Sequence, residues 1–362
     1  MKARLFELKT TLAVGHRLTD EEALFLFQDA ELPDLALLAT TTRNHHNKPD
    51  EVTFVIDRNI NFTDVCNIHC SFCAFHRPPG DPGAFVLSMD ELRRKCEETK
   101  ALGGTGILVQ GGVNPDLPWS YYLEMVSLIR HEMGLWVHGF SPVEIQAMAK
   151  LNGLGLRGTL EALREAGLGS LPGGGAEILV DAIRQRIAPL KGGVQAWLEV
   201  MEEAHRIGMK TTGTMMFGIN ESRQDRIQHL HFLREQQDRA VARNNGGGYT
   251  AFAAWPFQSG NTTWEGKIQP ATHVDYLKTI AISRIYLDNF KHIQSSWVTM
   301  GGRTGQLALH YGCDDMGSLM LEENVVNAAG THFEFNAEEM DAMIRGAGFQ
   351  PRQRDNTYGL LG

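Results

Sequence analysis

Three of the chain's five cysteines stand at Cys66, Cys70 and Cys73, a Cys-x3-Cys-x2-Cys spacing inside Asn61–Arg77, NFTDVCNIHCSFCAFHR. Three thiols this close together are a poor fit to an ordinary core and a good fit to a soft-metal site. Structural zinc takes four ligands, usually as two separated pairs. Here there is one triplet, and the remaining cysteines, Cys96 and Cys313, are solitary. His69 or His76 could still supply a fourth ligand, so a zinc knot stays open beside an iron–sulfur cluster. On a four-iron cube, three cysteines would leave one iron without a protein ligand and free to bind a substrate or cofactor.

A loop of this kind needs a scaffold to aim it. From Val52 onward, short apolar runs alternate with helical patterns, which predicts repeated β/α units and a parallel sheet. The expected strands are Val52–Ile56 with Asn59–Phe62, then Gly106–Gln110, Leu135–Phe140, Leu168–Leu171, Lys210–Met216, Thr250–Trp255 and His292–Val298. Helices are expected between them, near 88–102, 119–132, 143–151, 157–166, 177–187, 194–208, 222–238 and 271–289. Capping boxes at Thr19–Glu22 and Ser88–Glu91 mark two helix starts. The pattern fits a (β/α)8 TIM-type barrel over 51–320, with a doubly wound open sheet as the alternative. Residues 1–50 read as a helical cover, and 321–362 as a C-terminal helical extension packed on the barrel, in one structural domain.

In a parallel barrel the chemistry collects at the C-terminal ends of the strands. The second expected strand runs into Gln110-Gly111-Gly112, where missing side chains let backbone approach a ligand; a plain tight turn is the alternative. The third ends at His138 and at Ser141-Pro142, a well-formed helix start. His138 either points into the barrel or is a hydrogen-bonded core residue. Three glycines and Glu177 follow the fourth, ahead of a helix bearing Arg184 and Arg186. A carboxylate at a helix start is favoured by the dipole alone. Trp255, Gln258, Asn261 and Thr262 close the sixth strand, and Gln294, Ser296, Trp297 and Thr299 the seventh. These suit an aromatic, polyhydroxylated small molecule, or they simply plug the barrel mouth as core.

Composition narrows the class. The net charge of −9 argues against a nucleic-acid surface. No apolar run reaches membrane-spanning length, and the N-terminal segment MKARLFELKTTLAVGHRLTDEE has no secretory character. The odd cysteine count is no disulfide framework. A cytoplasmic location is expected.

Eight stretches, DRNINFTDVCNIHCSFCAFHRPPGDP, LVQGGVNPDLPWSYY, HGFSPVEI, GLGSLPGGGAEIL, TTGTMMFG, AWPFQSGNT, SSWVTMGGRTGQLAL and MLEENVVNAAG, together resemble the radical S-adenosylmethionine (SAM) enzymes of the futalosine route to menaquinone. The resemblance runs from about residue 15 to the end. AWPFQSGNT and MLEENVV point to the branch that cyclises dehypoxanthine futalosine. Aminofutalosine synthase and the deazaflavin (F0) synthase halves share the cysteine loop and the Gly-Gly strand end, so those motifs name only the superfamily. Gly301–Thr304 and Cys313–Met316 depart slightly from the family pattern.

The resemblance implies a [4Fe-4S] cluster on Cys66, Cys70 and Cys73, whose open iron chelates SAM and whose electron splits it to methionine and a 5′-deoxyadenosyl radical. It implies SAM contacts at Phe72, Gln110, Gly111, Gly112, Ser141, Glu177 and Arg186. It implies a radical that takes the ribose C4′ hydrogen of dehypoxanthine futalosine, after which the carbon radical attacks the attached benzoate ring. Trp255, Gln258, Asn261, Gln294, Trp297 and Thr299 are the expected substrate contacts. His76 or Arg77 is expected to meet the substrate carboxylate or take the final proton. An external one-electron donor such as flavodoxin or ferredoxin is implied, and no membrane or nucleic-acid partner. A non-catalytic iron–sulfur or zinc scaffold is the alternative outside enzymes.

Overall fold

Runs rich in Ile, Val, Thr and aromatic residues, spaced by amphipathic helices, can hide their apolar edges only by pairing side by side under a helical layer. They do so here. The structure, a computed structural model, describes residues 2–361. Its strands are β1 (Glu51–Val55), β2 (Asp57–Asn61), β3 (Gly106–Gln110), β4 (Trp136–Gly139), β5 (Leu168–Leu171), β6 (Lys210–Phe217), β7 (Gly248–Pro256), β8 (His292–Gln294), β9 (Asp315–Ser318) and β10 (Gln350–Arg354). All pairings between them are parallel, in the order β10-β1-β9-β8-β7-β6-β5-β4-β3-β2. β1 and β2 are separated only by Ile56. β1 lies between β10 and β9 at one end of the ladder and β2 pairs with β3 at the other, so two strands one residue apart in sequence bring the ends together and the sheet curls back onto itself. The α/β barrel expectation is met.

Amphipathic helices coat the outside. Trp197, Val200, Met201 and Ala204 of the helix Val194–Arg206 are buried toward the sheet. The N-terminal helices Asp20–Asp29 and Leu32–His46 pack on the helices Arg223–Arg243 and His273–Tyr286. They therefore lie along the barrel's flank, where a cover over one end was expected. Among the described residues no helix is long and apolar enough to cross a membrane.

The departures lie in the C-terminal third. The strand expected to reach Val298 stops at Gln294, and Trp297–Met300 is a helical turn. At the start of the helical extension expected over 321–362, only the short helix Val325–Ala328 forms. β9 and β10 were not anticipated, since Asp-Met-Gly-Ser and Gln-Pro-Arg-Gln-Arg carry no apolar alternation. Their polar side chains pair with each other instead: Arg354 grips Asp315 through Nε–Oδ2 at 2.5 Å and Nη2–Oδ1 at 2.9 Å, both residues buried. The 321–362 stretch is thus not simply a helical extension, because its strand β10 registers with β1 from Glu51↔Gln350 to Val55↔Arg354.

Candidate active site

The cysteine loop leaves the C-terminal end of β2 and is tied down at several points. Cys66 N–H donates to the Arg77 carbonyl at 2.9 Å and Asn67 N–H to that of Val113 at 3.1 Å. Ser71 donates to the Ile187 carbonyl through both its amide and its hydroxyl, at 2.8 and 2.9 Å. The Trp264 indole and the Thr263 hydroxyl donate to Ser71 in turn. Gly112, after β3, underlies the loop. A Cβ there would lie 2.0 Å from the Val65 carbonyl oxygen and 3.0 Å from Cys66 Cβ.

This donor set fits an iron–sulfur cube. Its three thiols are free of disulfides and share one anchored loop. Among the described residues no three His, Cys, Asp or Glu side chains gather around a point that could hold one metal ion. His69 and His76, weighed as a fourth ligand in a zinc knot, both stand on this loop. His76 Nδ1 lies 2.9 Å from the Cys73 carbonyl, and the His69 and His76 rings meet edge to face. Burial pushes the Cys70 thiol up to about 11, with the Lys191 ammonium opposing.

The residues expected at the SAM subsite converge beside this loop. The Gly111 amide donates to Glu144 Oε1 at 3.0 Å. Ser141 caps the helix Pro142–Asn152, and its amide and hydroxyl both donate to Glu144 Oε2, at 2.7 and 2.6 Å. The glycine loop lies flat on β6, since a Cβ on Gly173 would be 2.5 Å from the Thr212 carbonyl. Glu177, buried and at φ 44°, pairs with Lys191 at 2.5 Å. The Lys191 ammonium also sits 4.7 Å from the Phe72 ring centroid. Arg186 spends its guanidinium on the Ile219 carbonyl. Its buried neighbour Arg184 is the one that holds the glycine loop, donating to the Gly175 and Ala176 carbonyls at 2.9 and 2.7 Å. Sequence reasoning noted Arg184 without assigning it, and missed Lys191 and Glu144; only the capping spacing hinted at the last.

A cavity of about 330 Å³ opens inside the barrel. Inward positions of β6, namely Lys210, Thr212 and Thr214, line it, along with Gln110, Gly174 and Trp255 near the cluster loop. The segment bearing Met320, Glu323, Val325 and Val326 walls one side. Arg354 and Tyr358 line it from the C-terminal stretch, the guanidinium 3.9 Å from the ring centroid. Burial depresses His138 to about 4, the Arg354 charge adding to it, so the imidazole that faces Ser170 Oγ at 2.7 Å is neutral. Burial raises the Glu323 carboxyl, opposed by the Val326 amide, the Asn59 side chain and the Val325 amide.

Of the expected substrate contacts, Trp255, Gln294, Trp297 and Thr299 line this cavity. Gln294 Nε2 donates to the Tyr358 hydroxyl at 2.9 Å. Trp297 is 1% exposed, its indole donating to the Ser318 carbonyl and its ring against Phe335, so packing is its main role. Four others are not among the lining residues. Gln258 accepts from the Thr331 hydroxyl, and Asn261 donates to the Ala328 carbonyl. Arg77 pairs with Asp64 at 3.2 Å and Asp81 at 3.4 Å, and His76 folds onto the cluster loop itself. Asp288 and Glu322, whose types would also suit a base, are taken up by Arg17 and by Lys95 with Arg58.

Comparison with known proteins follows the same division. The radical SAM superfamily model matches residues 60–233, and the CofH/MqnC C-terminal region matches 246–361. The chain is 41% identical over 348 residues to a cyclic dehypoxanthine futalosine synthase of Halalkalibacterium halodurans, covering 96% of this chain and 92% of that one. It is 42% identical over 364 residues to one of Streptomyces coelicolor, covering 99% and 90%. A 5-amino-6-(D-ribitylamino)uracil–L-tyrosine 4-hydroxyphenyl transferase of Archaeoglobus fulgidus is 39% identical over 316 residues, covering 86% and 89%. In structure, methylornithine synthase (PylB) superposes with a TM-score of 0.70 at 18% identity, covering 95% of this chain and 97% of that one. The hydrogenase maturase HydG of Carboxydothermus hydrogenoformans gives 0.73 at 16%, covering 99% and 81%. These last two likenesses concern the fold.

Proposed function

The chain belongs to the radical SAM superfamily, among the cyclic dehypoxanthine futalosine synthases and their CofH-type relatives, and we propose on that premise that it closes a carbon–carbon bond within dehypoxanthine futalosine in menaquinone biosynthesis. The observation that carries this reading is an anchored three-cysteine loop at the C-terminal end of β2, on a barrel whose open cavity has the Met320–Val326 segment in its wall. Cys66, Cys70 and Cys73 would hold the cluster. When bound, the cluster and SAM would supply the radical chemistry that removes the ribose C4′ hydrogen.

The chain's own residues bind, orient and seclude. Gly111 and Gly112 expose backbone beside the loop, and Phe72, Gln110, Ser141 and Glu177 face the same region. Arg184 shapes the glycine loop, while Arg186, two residues on, donates to the Ile219 carbonyl. Thr212, Thr214, Trp255, Gln294 and Thr299 offer hydroxyls, an amide and an aromatic face to a nucleoside-like substrate. Holding the benzoate ring against C4′ in a near-attack geometry is worth about 7–11 kcal/mol, more than any single acid or base. Arg77, held by two carboxylates, leaves the carboxylate-binding role to cavity residues. An external flavodoxin or ferredoxin would deliver the electron in the cytoplasm.

Anaerobic reconstitution followed by product analysis tests the reading. With SAM and reductant, dehypoxanthine futalosine should give its cyclic product and deoxyadenosine. Turnover only with 5-amino-6-(D-ribitylamino)uracil and tyrosine, or with the substrates of aminofutalosine synthase, would overturn it.

A further inference from the structure

Five helices of the described chain begin with a capping box, in which a carboxylate three residues on accepts from the cap. In four of them the carboxylate belongs to Glu22, Glu91, Asp225 or Glu339, and none of these is buried. Glu144 is the exception, at 4% exposure. Its two oxygens serve different strands. Oε2 accepts the Ser141 amide and hydroxyl after β4, and Oε1 accepts the Gly111 amide after β3. Gly111 in turn has no room to drift, since a Cβ there would lie 2.7 Å from the Phe62 ring. Gly112, the next residue, donates to the Thr63 carbonyl at 2.9 Å, just ahead of the cysteine loop.

A capping carboxylate works equally well in water, so its burial needs a reason. Taking it out of solvent is costly unless each lone pair is met. Three donors meet it here, two of them backbone amides whose positions it then fixes. We propose that Glu144 is a positioning residue that locks the Gly111–Gly112 strand end to the Ser141 cap, so that two walls of the SAM subsite keep one spacing. The assignment rests on the reading of that subsite given above. Glu144 acts through the backbone of Gly111 and through Ser141. Burial pushes its carboxyl up to about 7 against the Ser141 and Gly111 donors, which shows how fully the group is withdrawn from water.

The test compares wild type with Glu144→Gln, whose amide presents a donor where one of the accepted bonds must lie. Three quantities are read: iron per chain after reconstitution, SAM affinity by equilibrium dialysis, and hydrogen exchange of the 110–113 amides in cluster-free protein. The expected result is full iron loading, SAM affinity reduced about tenfold as for other outer-shell partners, and faster exchange confined to 110–113 and 141–144. Glu144→Asp keeps the charge but shortens the reach to Gly111, and should also speed exchange at Gly111. Should Glu144→Gln fail to fold, the aspartate variant decides by the same readouts. Unchanged SAM affinity and exchange would overturn the proposal, as would loss of iron and global protection together. A wild-type protein that loads iron yet binds no SAM would instead refute the reading of the subsite.

Discussion

Gly112→Ala is the sharpest probe of the cysteine loop. The new methyl would sit 2.0 Å from the Val65 carbonyl oxygen, 2.6 Å from its carbon and 3.0 Å from Cys66 Cβ. A tolerable carbon–oxygen contact is about 3.3 Å, so the Val65 carbonyl must retreat by about 1.3 Å and draws the adjoining Cys66 with it. The atoms in the way are mostly backbone, and Cys66 is held by its own amide bond to Arg77, so no side-chain rotation relieves the clash. Overpacking of this kind costs about 1–3 kcal/mol of stability, which a barrel of this size tolerates. Function is far less tolerant, because a misplacement of about 1 Å at a reacting centre costs about 100-fold. Gly112→Ala should therefore fold, bind less iron per chain on anaerobic reconstitution, and form deoxyadenosine about 100-fold more slowly. Gly111→Ala is the control, since its methyl meets the Phe62 ring and leaves the cysteines alone. It should lose stability while keeping its iron. If Gly112→Ala loads iron and makes deoxyadenosine like wild type, the claim that this glycine seats the loop is wrong.

Three further outcomes follow from buried groups. Lys191→Met strands the Glu177 carboxylate, whose side chain is 8% exposed, and should cost about 3–5 kcal/mol in urea unfolding of cluster-free protein; adding Glu177→Gln should restore part of it, and an unaffected single variant would contradict the pairing. His205 and His229 are fully buried, and burial depresses both to about 3. Their folded values lie below the free value, so stability is whole above about pH 6.5 and drains as pH falls toward 3, at about 1.4 kcal/mol per unit for each. Unfolding midpoints should drop between pH 7 and pH 5 by an amount matching about 2 kcal/mol per histidine, and a flat profile would refute their neutrality. Trp297→Ala should destabilise by about 3–5 kcal/mol as a core deletion, whereas Trp255→Ala, half-buried on the cavity wall, should chiefly raise KM for the substrate; the reverse pattern would exchange their roles.

Much of this protein was legible as a string. Local chemistry set the cysteine triplet, whose spacing alone brings three thiols onto one loop. Apolar runs bounded by turn residues set β3 and β5 to the residue, and the capping spacings at Thr19 and Ser88 and the Ser141-Pro142 pair set helix starts. Each of these depends on neighbours within a few positions, which a sequence displays.

Tertiary structure decided what depends on partners far away. Asp-Met-Gly-Ser and Gln-Pro-Arg-Gln-Arg become strands because Asp315 and Arg354 neutralise each other inside the barrel, 39 residues apart. Trp297 reads in sequence as wall or ligand platform alike, and only the fold shows how deeply it is buried against Phe335. Arg77 had the right charge beside the cysteines, yet Asp64 and Asp81 claim it. Glu144 drew no notice in the sequence, and only the fold brings the Gly111 amide, 33 residues upstream, within 3.0 Å of it. The physical reason is the same in each case: a charge or an aromatic ring has no fixed meaning until the fold determines what lies against it and how much water remains.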